Sequence, residues 1–271
     1  MPPLTIPIKR WIPPILVDLL RLINPEGIKL NGYYKNWEDA MAQCKGYDQS
    51  IIFEKTLASA LEVKNGNKPF ARDSVLFDEI AYSWPILASL LWVAAQDSGK
   101  LRVLDFGGAL GSSYFQNKKF LDHVTEVSWQ IVEQPELAKL GNEHLKDGIL
   151  SFSSRIDDTF RSQSPNFVLL SGVLQYVQDP FSVIADLVTR EVPVIALDRT
   201  PFLNKDQETF IQKQSVPSQI YPASYPCYLF NENEITSKFR ENGYRLVESF
   251  HSLDNLSSKA TWKGMIFKKS S

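Results

Sequence analysis

The chain of 271 residues balances 29 Lys and Arg against 31 Asp and Glu, for a formal net charge of −2, and has no basic run longer than a pair such as Lys118 and Lys119. Phosphate binding needs a concentrated positive field, so this balance argues against a nucleic-acid partner. Cys44 and Cys227 stand far apart and His123, His144 and His251 do not cluster. Neither a disulfide framework nor a metal site is expected, and the cysteine usage suits a reducing cytoplasm.

In chain order, Lys9 and Arg10 precede residues 15–23, ILVDLLRLI, whose apolar positions wrap most of a short helix. The run is well short of the roughly 20 apolar residues that cross a bilayer. It reads either as a helix docked on the domain or on a second subunit, or as a peripheral membrane contact beside the basic pair. Residues 24–32 read as linker. The pattern from 33 to 96 is helical, with segments at 37–43, 50–64 and 74–96. Asp73 or Ser74 is placed to cap the last of these, and Pro85 kinks or restarts it. Its second half is apolar all round and is expected to pack on a sheet. Arg72, Asp73, Tyr82 and Trp84 belong either to the wall of a ligand cleft or to the core.

The stretch 101–115, LRVLDFGGALGSSYF, changes character. Val103, Leu104 and Phe106 around Asp105 read as a strand buried on both faces, and Gly107, Gly108 and Gly111 break it before a helix from Ser112. A strand, glycine turn and helix in that order form the nucleotide-binding entry of an open α/β sheet, where backbone N–H groups and a helix N-terminus approach a ligand. A second strand at 129–132 ends in Glu133, 22 positions after Gly111. That is where such folds place the carboxylate that accepts the hydroxyls of a ribose. A helix at 135–147 follows, then strands at 149–156, 167–173 and 192–197. Asp179 and Pro180 occupy cap and first-turn positions of the helix after the fourth strand. Asp198, Arg199 and Thr200 follow the fifth strand. Residues 201–230 show no regular element, and their Tyr221, Tyr225 and Tyr228 offer rigid surfaces for a sugar or pack at the sheet edge. A last helix at 231–243 and strands at 244–250 and 262–267 complete the pattern, the final strand being antiparallel.

The blocks RDSVLFDEIAYSWP (72–85), VLDFGGALGSSYF (103–115), VEQPEL (132–137), LLSGVLQYVQDP (169–180), LDRTPF (197–202) and IYPASYP (220–226) resemble, in order and spacing, those of class I S-adenosylmethionine-dependent methyltransferases. The resemblance is closer to a methyltransferase family found with bacterial surface-polysaccharide biosynthesis genes, and it covers roughly residues 33–250. It departs from the general class I turn in having Ala109 at the middle glycine position and an extra glycine at Gly108.

The resemblance implies an α/β fold with a doubly wound, mostly parallel seven-stranded sheet and S-adenosyl-L-methionine as cofactor. The expected domain plan is an N-terminal helix and linker (1–32), a helical segment (33–98) and a cofactor core (99–271) with an insertion at 201–230. The expected cofactor residues are Asp105, Gly107, Gly108, Gly111, Ser112, Glu133, Gln134, Ser171 and Gly172. Asp157 joins them as a partner of the adenine amino group, or else caps a helix. Asp198 is the candidate base by position, Arg199 the candidate substrate clamp and Tyr225 a further catalytic candidate; Arg199 serves equally as a structural partner of Asp198. The expected acceptor is a small molecule or a glycan. A nicotinamide-dependent oxidoreductase and a non-catalytic cofactor-fold module remain as alternatives.

Overall fold

The computed structural model describes residues 28–45, 49–216, 223–254 and 257–270. The predicted helix at 15–23 and Tyr221 lie outside the described residues. The central sheet contains seven strands: β4 (Lys100–Phe106), β5 (Glu126–Val132), β6 (Leu150–Ser153), β7 (Phe167–Ser171), β8 (Val194–Leu203), β11 (Tyr244–His251) and β12 (Ala260–Lys269). Their order is β11-β12-β8-β7-β4-β5-β6. The first five are parallel, and β12 runs antiparallel between β8 and β11. This is the expected doubly wound sheet. The chain leaves β4 toward β5 and β6, then crosses back to β7 and β8, so the crevice at the carboxyl ends of β4 and β7 is the topological switch point.

Period-two alternation feeds two cores. Phe167, Leu169, Val194 and Ala196 face one layer, while Val168, Leu170, Ile195 and Leu197 face the other. The first layer holds α2 (Gln49–Lys64), α3 (Trp84–Gln96), α4 (Ser112–Leu121) and α5 (Pro135–His144). The second holds α6 (Ile156–Ser162), α7 (Pro180–Thr189) and α8 (Glu232–Glu241). Proline starts three of these helices, since a first-turn residue has no intrahelical N–H to lose. Asp179 caps α7 by accepting from the Ser182 N–H, as its position implied. Among the described residues, no helix is long and apolar enough to cross a membrane.

Four segments differ from the sequence pattern. Residues expected to be linker contribute β1 (Lys29–Tyr34), and the supposedly irregular 201–230 stretch contains β9 (Phe210–Val216) and β10 (Ala223–Leu229). These strands form a separate antiparallel sheet in the order β1-β9-β10, against which α1 (Trp37–Ala42) packs. Pro226 disguises β10, but the strand is an edge, where a missing donor is tolerated. The predicted helix 74–96 starts only at Trp84. Before α3, β2 (Phe70–Arg72) and β3 (Val75–Phe77) make a hairpin whose two turn residues, Asp73 and Ser74, both have positive φ, 51° and 64°. Such a turn is usually marked by Asn-Gly or Asp-Gly, and Asp-Ser hides it. Finally, β6 ends at Ser153, so Asp157 sits in the first turn of α6 rather than at a strand end.

Helix α5 packs directly on β6: a Cβ at Gly141 would lie 2.5 Å from the Phe152 ring. Gly148 has open space around its Cβ position. Gly141→Ala is expected to destabilise the fold by about 1–3 kcal/mol through overpacking, with Gly148→Ala close to neutral, as read by urea denaturation. Equal midpoints for the two variants would show that α5 does not need this close approach.

Candidate active site

Two cavities lie side by side at the switch point. The first, about 200 Å³, is floored by the turn after β4 and the start of α4, from Gly107 to Ser113, and by Ser171 and Gly172 at the end of β7. Helix α2 and the hairpin tip, Arg72 to Ser74, form its other wall. The second, about 220 Å³, lies between the hairpin and the small sheet, with Gln175, Tyr176, Gln214 and Tyr225 on its walls. Arg72, Asp73, Gly172 and Arg199 line both. Of the six non-glycine residues with left-handed backbone among the described residues, Asp73, Ser74, Ala109 and Arg199 stand here. Sparsely populated backbone of this kind persists where the surroundings enforce it, often at functional sites.

The turn is shaped by what lies beneath it. Gly107 is left-handed, and a Cβ there would meet Val173 at 2.2 Å. A Cβ at Gly108 would meet the Asp105 carboxylate at 2.5 Å. Ala109 takes up the left-handed conformation (φ 49°) in place of the usual glycine, and its N–H donates to Glu133 Oε1 at 3.3 Å. Gly111, left-handed and at the N-cap of α4, closes the turn by donating to the Gly108 carbonyl. Asp105 therefore underpins the turn rather than lining the cavity. It is fully buried and accepts from the Trp129 indole N–H at 3.0 Å, while its Oδ1 has no partner. Burial pushes its carboxyl up to about 7, with Glu133 adding to the shift against the Trp129 bond.

Glu133 stands beside the turn, not among the lining residues of the first cavity. Its Oε2 accepts from the N–H of Gln134, an exposed residue that caps α5. Burial raises the Glu133 pKa against these two backbone hydrogen bonds. Each carboxylate oxygen keeps a further lone pair for a hydroxyl.

Arg199 binds Asp73 through Nη2 at 2.7 Å and Asp254 through Nε at 2.5 Å, and Arg72 Nη2 reaches Asp254 Oδ1 at 3.2 Å. Two cations and two carboxylates thus form one neutral cluster between the cavities. Desolvation in the cleft opposes ionisation of Asp73, but Arg199 outweighs it and holds the carboxyl below its ordinary value. The Asp73 side chain remains 65% exposed because it stands on the hairpin tip, so solvent screens the pair. Among the described residues, Asp254 is the contributor with no motif to announce it. Thr56 on α2 ties to Ser74 at 2.9 Å, holding the tip from the other side.

Four residues expected at the site are placed elsewhere. Asp198 continues the face of Val194 and Ala196 and is 5% exposed; its Oδ1 accepts from Ser252 Oγ at 2.7 Å and from the Arg199 N–H at 2.8 Å. It lines neither cavity, and the left-handed turn at Arg199 sends only the next side chain into the cleft. Asp157 pairs with Arg190 at 2.7 Å on the α7 side, away from both cavities. Tyr82, half-buried, and Trp84, exposed, pack with Phe120 and line neither cavity.

No family model and no curated protein sequence matches the chain. Among solved structures, the N-terminal domain of EvdMO1, determined in the presence of SAH and D-fucose, is 13% identical, with a TM-score of 0.49, over 83% of this chain and 98% of that one. The Burkholderia thailandensis 1,6-didemethyltoxoflavin-N1-methyltransferase is 14% identical, with a TM-score of 0.45, over 82% and 89% of the two chains. CalS10, an amino pentose methyltransferase from Micromonospora echinaspora, is 12% identical, with a TM-score of 0.43, over 70% and 93%. At such distances the likeness is one of fold, which the strand order already establishes.

The raised Asp105 carboxyl yields a prediction. The fold holds a proton that the unfolded chain, with the ordinary value of 3.8, has released, so this group's contribution is full below about pH 4 and is lost as pH rises toward 7. Asp105→Asn cannot titrate. Urea denaturation at pH 5 and pH 8 should show wild type losing stability relative to the variant, and identical pH responses would mean that Asp105 does not titrate in this window.

Proposed function

We propose that the chain is an S-adenosylmethionine-dependent methyltransferase that methylates a hydroxyl of a small or glycan-linked acceptor. The observation that carries this reading is the pair of cavities sharing one wall at the switch point, one over a glycine turn and one beneath a separate sheet. The residues fit the cofactor. The crowded turn leaves room only for backbone, the N-terminus of α4 opens onto the first cavity, and Glu133 stands beside it for the ribose. Arg72, Arg199 and Asp73 would present both signs of charge to a zwitterionic amino-acid end. Bound there, S-adenosylmethionine supplies a methyl group on a sulfonium that departs as a neutral thioether.

The remaining task of the chain is alignment. Gly172 lines both cavities and, lacking a side chain, would let acceptor and methyl group approach each other there. Asp73 and Asp254, not Asp198, are the carboxylates at the acceptor cavity, and either would take the hydroxyl proton there. Asp73, held low by Arg199, is a weak base, so positioning contributes more than base strength. The link to surface-polysaccharide assembly rests on the sequence resemblance alone.

A dinucleotide would use the same turn and the same carboxylate, so calorimetric titration with S-adenosylhomocysteine and with NADH separates the two cofactor readings. S-adenosylhomocysteine is expected to bind, and Glu133→Ala should weaken it at least about tenfold, the loss of charge-assisted hydrogen bonds of roughly 1.5–3 kcal/mol each, less what water restores. Tight NADH binding without S-adenosylhomocysteine binding would overturn the proposal.

A further inference from the structure

Asp73 and Asp254 both bind Arg199, but they are not equivalent ligands of it. The Asp254 side chain is 11% exposed and holds Arg72 as well, whereas the Asp73 side chain is 65% exposed and approaches Arg72 only loosely, at 3.8 Å. An exposed pair is screened by solvent and contributes little, so Asp73 is the partner that Arg199 can exchange. The hairpin that carries it suits such an exchange. Its two strands pair with each other and join neither of the other sheets, and a lone hairpin is marginally stable. Phe70 and Ala71 anchor its root by burial, while Leu76 and Phe77 on the return strand are exposed.

The hairpin tip also divides the site. At about 200 and 220 Å³, neither cavity reaches the roughly 300–1,000 Å³ of an ordinary ligand cleft. The residues common to both are Arg72, Asp73, Gly172 and Arg199, and the Arg199 guanidinium lies against Gly172, where a Cβ would stand 3.4 Å from Nη1. Asp73 on Arg199 therefore completes a partition between the two cavities. A methyl group passing from one to the other has to cross that line.

We propose that Asp73 is a built-in stand-in for a ligand carboxylate, closing the resting chain, and that the amino-acid carboxylate of S-adenosylmethionine displaces it from Arg199 Nη2, lifting the hairpin tip and joining the two cavities. Asp254 stays on Nε throughout and keeps the guanidinium in place. One ion pair replaces another, so Arg199 is never left unpaired, and Asp73 moves from a mostly exposed position into water. The contact is autoinhibitory, and the proposal deepens the methyltransferase reading and rests on it.

The test locks the tip in the full chain. Thr56 Oγ1 and Ser74 Oγ are 2.9 Å apart, so sulfurs at these positions are within reach of a bridge. Thr56→Cys with Ser74→Cys is made in a Cys44→Ser background, which leaves only the buried Cys227, and its oxidation is confirmed by mass. S-adenosylhomocysteine, which has the carboxylate, and methylthioadenosine, which lacks it, are titrated by calorimetry before and after reduction. S-adenosylhomocysteine is expected to bind at least about tenfold more weakly to the oxidised form and to recover on reduction, because the lock withholds the competent state. Methylthioadenosine should stay within about twofold in both forms, which certifies the fold. Ser74→Cys alone, in the same background, reads the motion without a lock: S-adenosylhomocysteine should speed maleimide labelling of the new thiol at least about threefold, and methylthioadenosine should not. If the bridge does not form, this labelling rate alone decides. Equal S-adenosylhomocysteine affinity of the oxidised and reduced forms, an equal loss for both ligands, or labelling that S-adenosylhomocysteine slows or leaves unchanged would each overturn the proposal. Failure of S-adenosylhomocysteine to bind the unsubstituted chain would instead strike the cofactor reading, and the proposal with it.

Discussion

The neutral cluster of Arg72, Asp73, Arg199 and Asp254 is the joint on which the site depends. Its members come from a hairpin before the sheet, from the fifth parallel strand and from the segment after β11, and their mutual pairing brings all three pieces to one point. Because the two charges of each sign cancel, the cleft can be deep without leaving an unpaired ion in it. The pairing also sets the boundary between the two cavities. Remove Asp73 from Arg199, and the hairpin tip loses its tie to the core side of the cleft.

The same cluster explains why Arg199 and Asp198, adjacent in sequence, part company in space. A regular strand would send Asp198 to one face and Arg199 to the other. The left-handed backbone at Arg199, together with the two hydrogen bonds on Asp198 Oδ1, turns the acid into a brace between β8 and Ser252 and frees the arginine for the cleft. A strand-end carboxylate looks catalytic from position alone. Its hydrogen-bond partners tie it to Ser252, a contact invisible in a linear sequence because Ser252 lies 54 residues away.

Legibility followed the range of the interactions. The glycine turn, the buried parallel strands, the capped helices and the antiparallel last strand rest on local patterns, and they appear within a few residues of where the sequence puts them. The hairpin at Asp73 and Ser74 was hidden because its turn lacks glycine, and β10 because Pro226 sits on an edge that tolerates it. Arg72, Asp73 and Arg199 were recognisable as candidates for the cleft. Asp254 was not, since nothing in its neighbourhood marks a residue whose significance is a contact made across the fold.

The small sheet ties the beginning of the described chain to its later part: Gln212 on β9 donates to the carbonyl of Gly32 across 180 residues. A ribosome adds about 5–20 residues per second, so β1 stays without its partner for roughly 10–40 s after it is made. The local strand–turn–helix of the first cavity can form well inside that interval, whereas the wall of the second cannot. On the ribosome, then, the glycine turn and the acceptor wall are completed at different times. The chain passes through a period in which its glycine turn is complete, its acceptor wall is absent, and β1 presents an open edge that a chaperone or a neighbouring chain can reach.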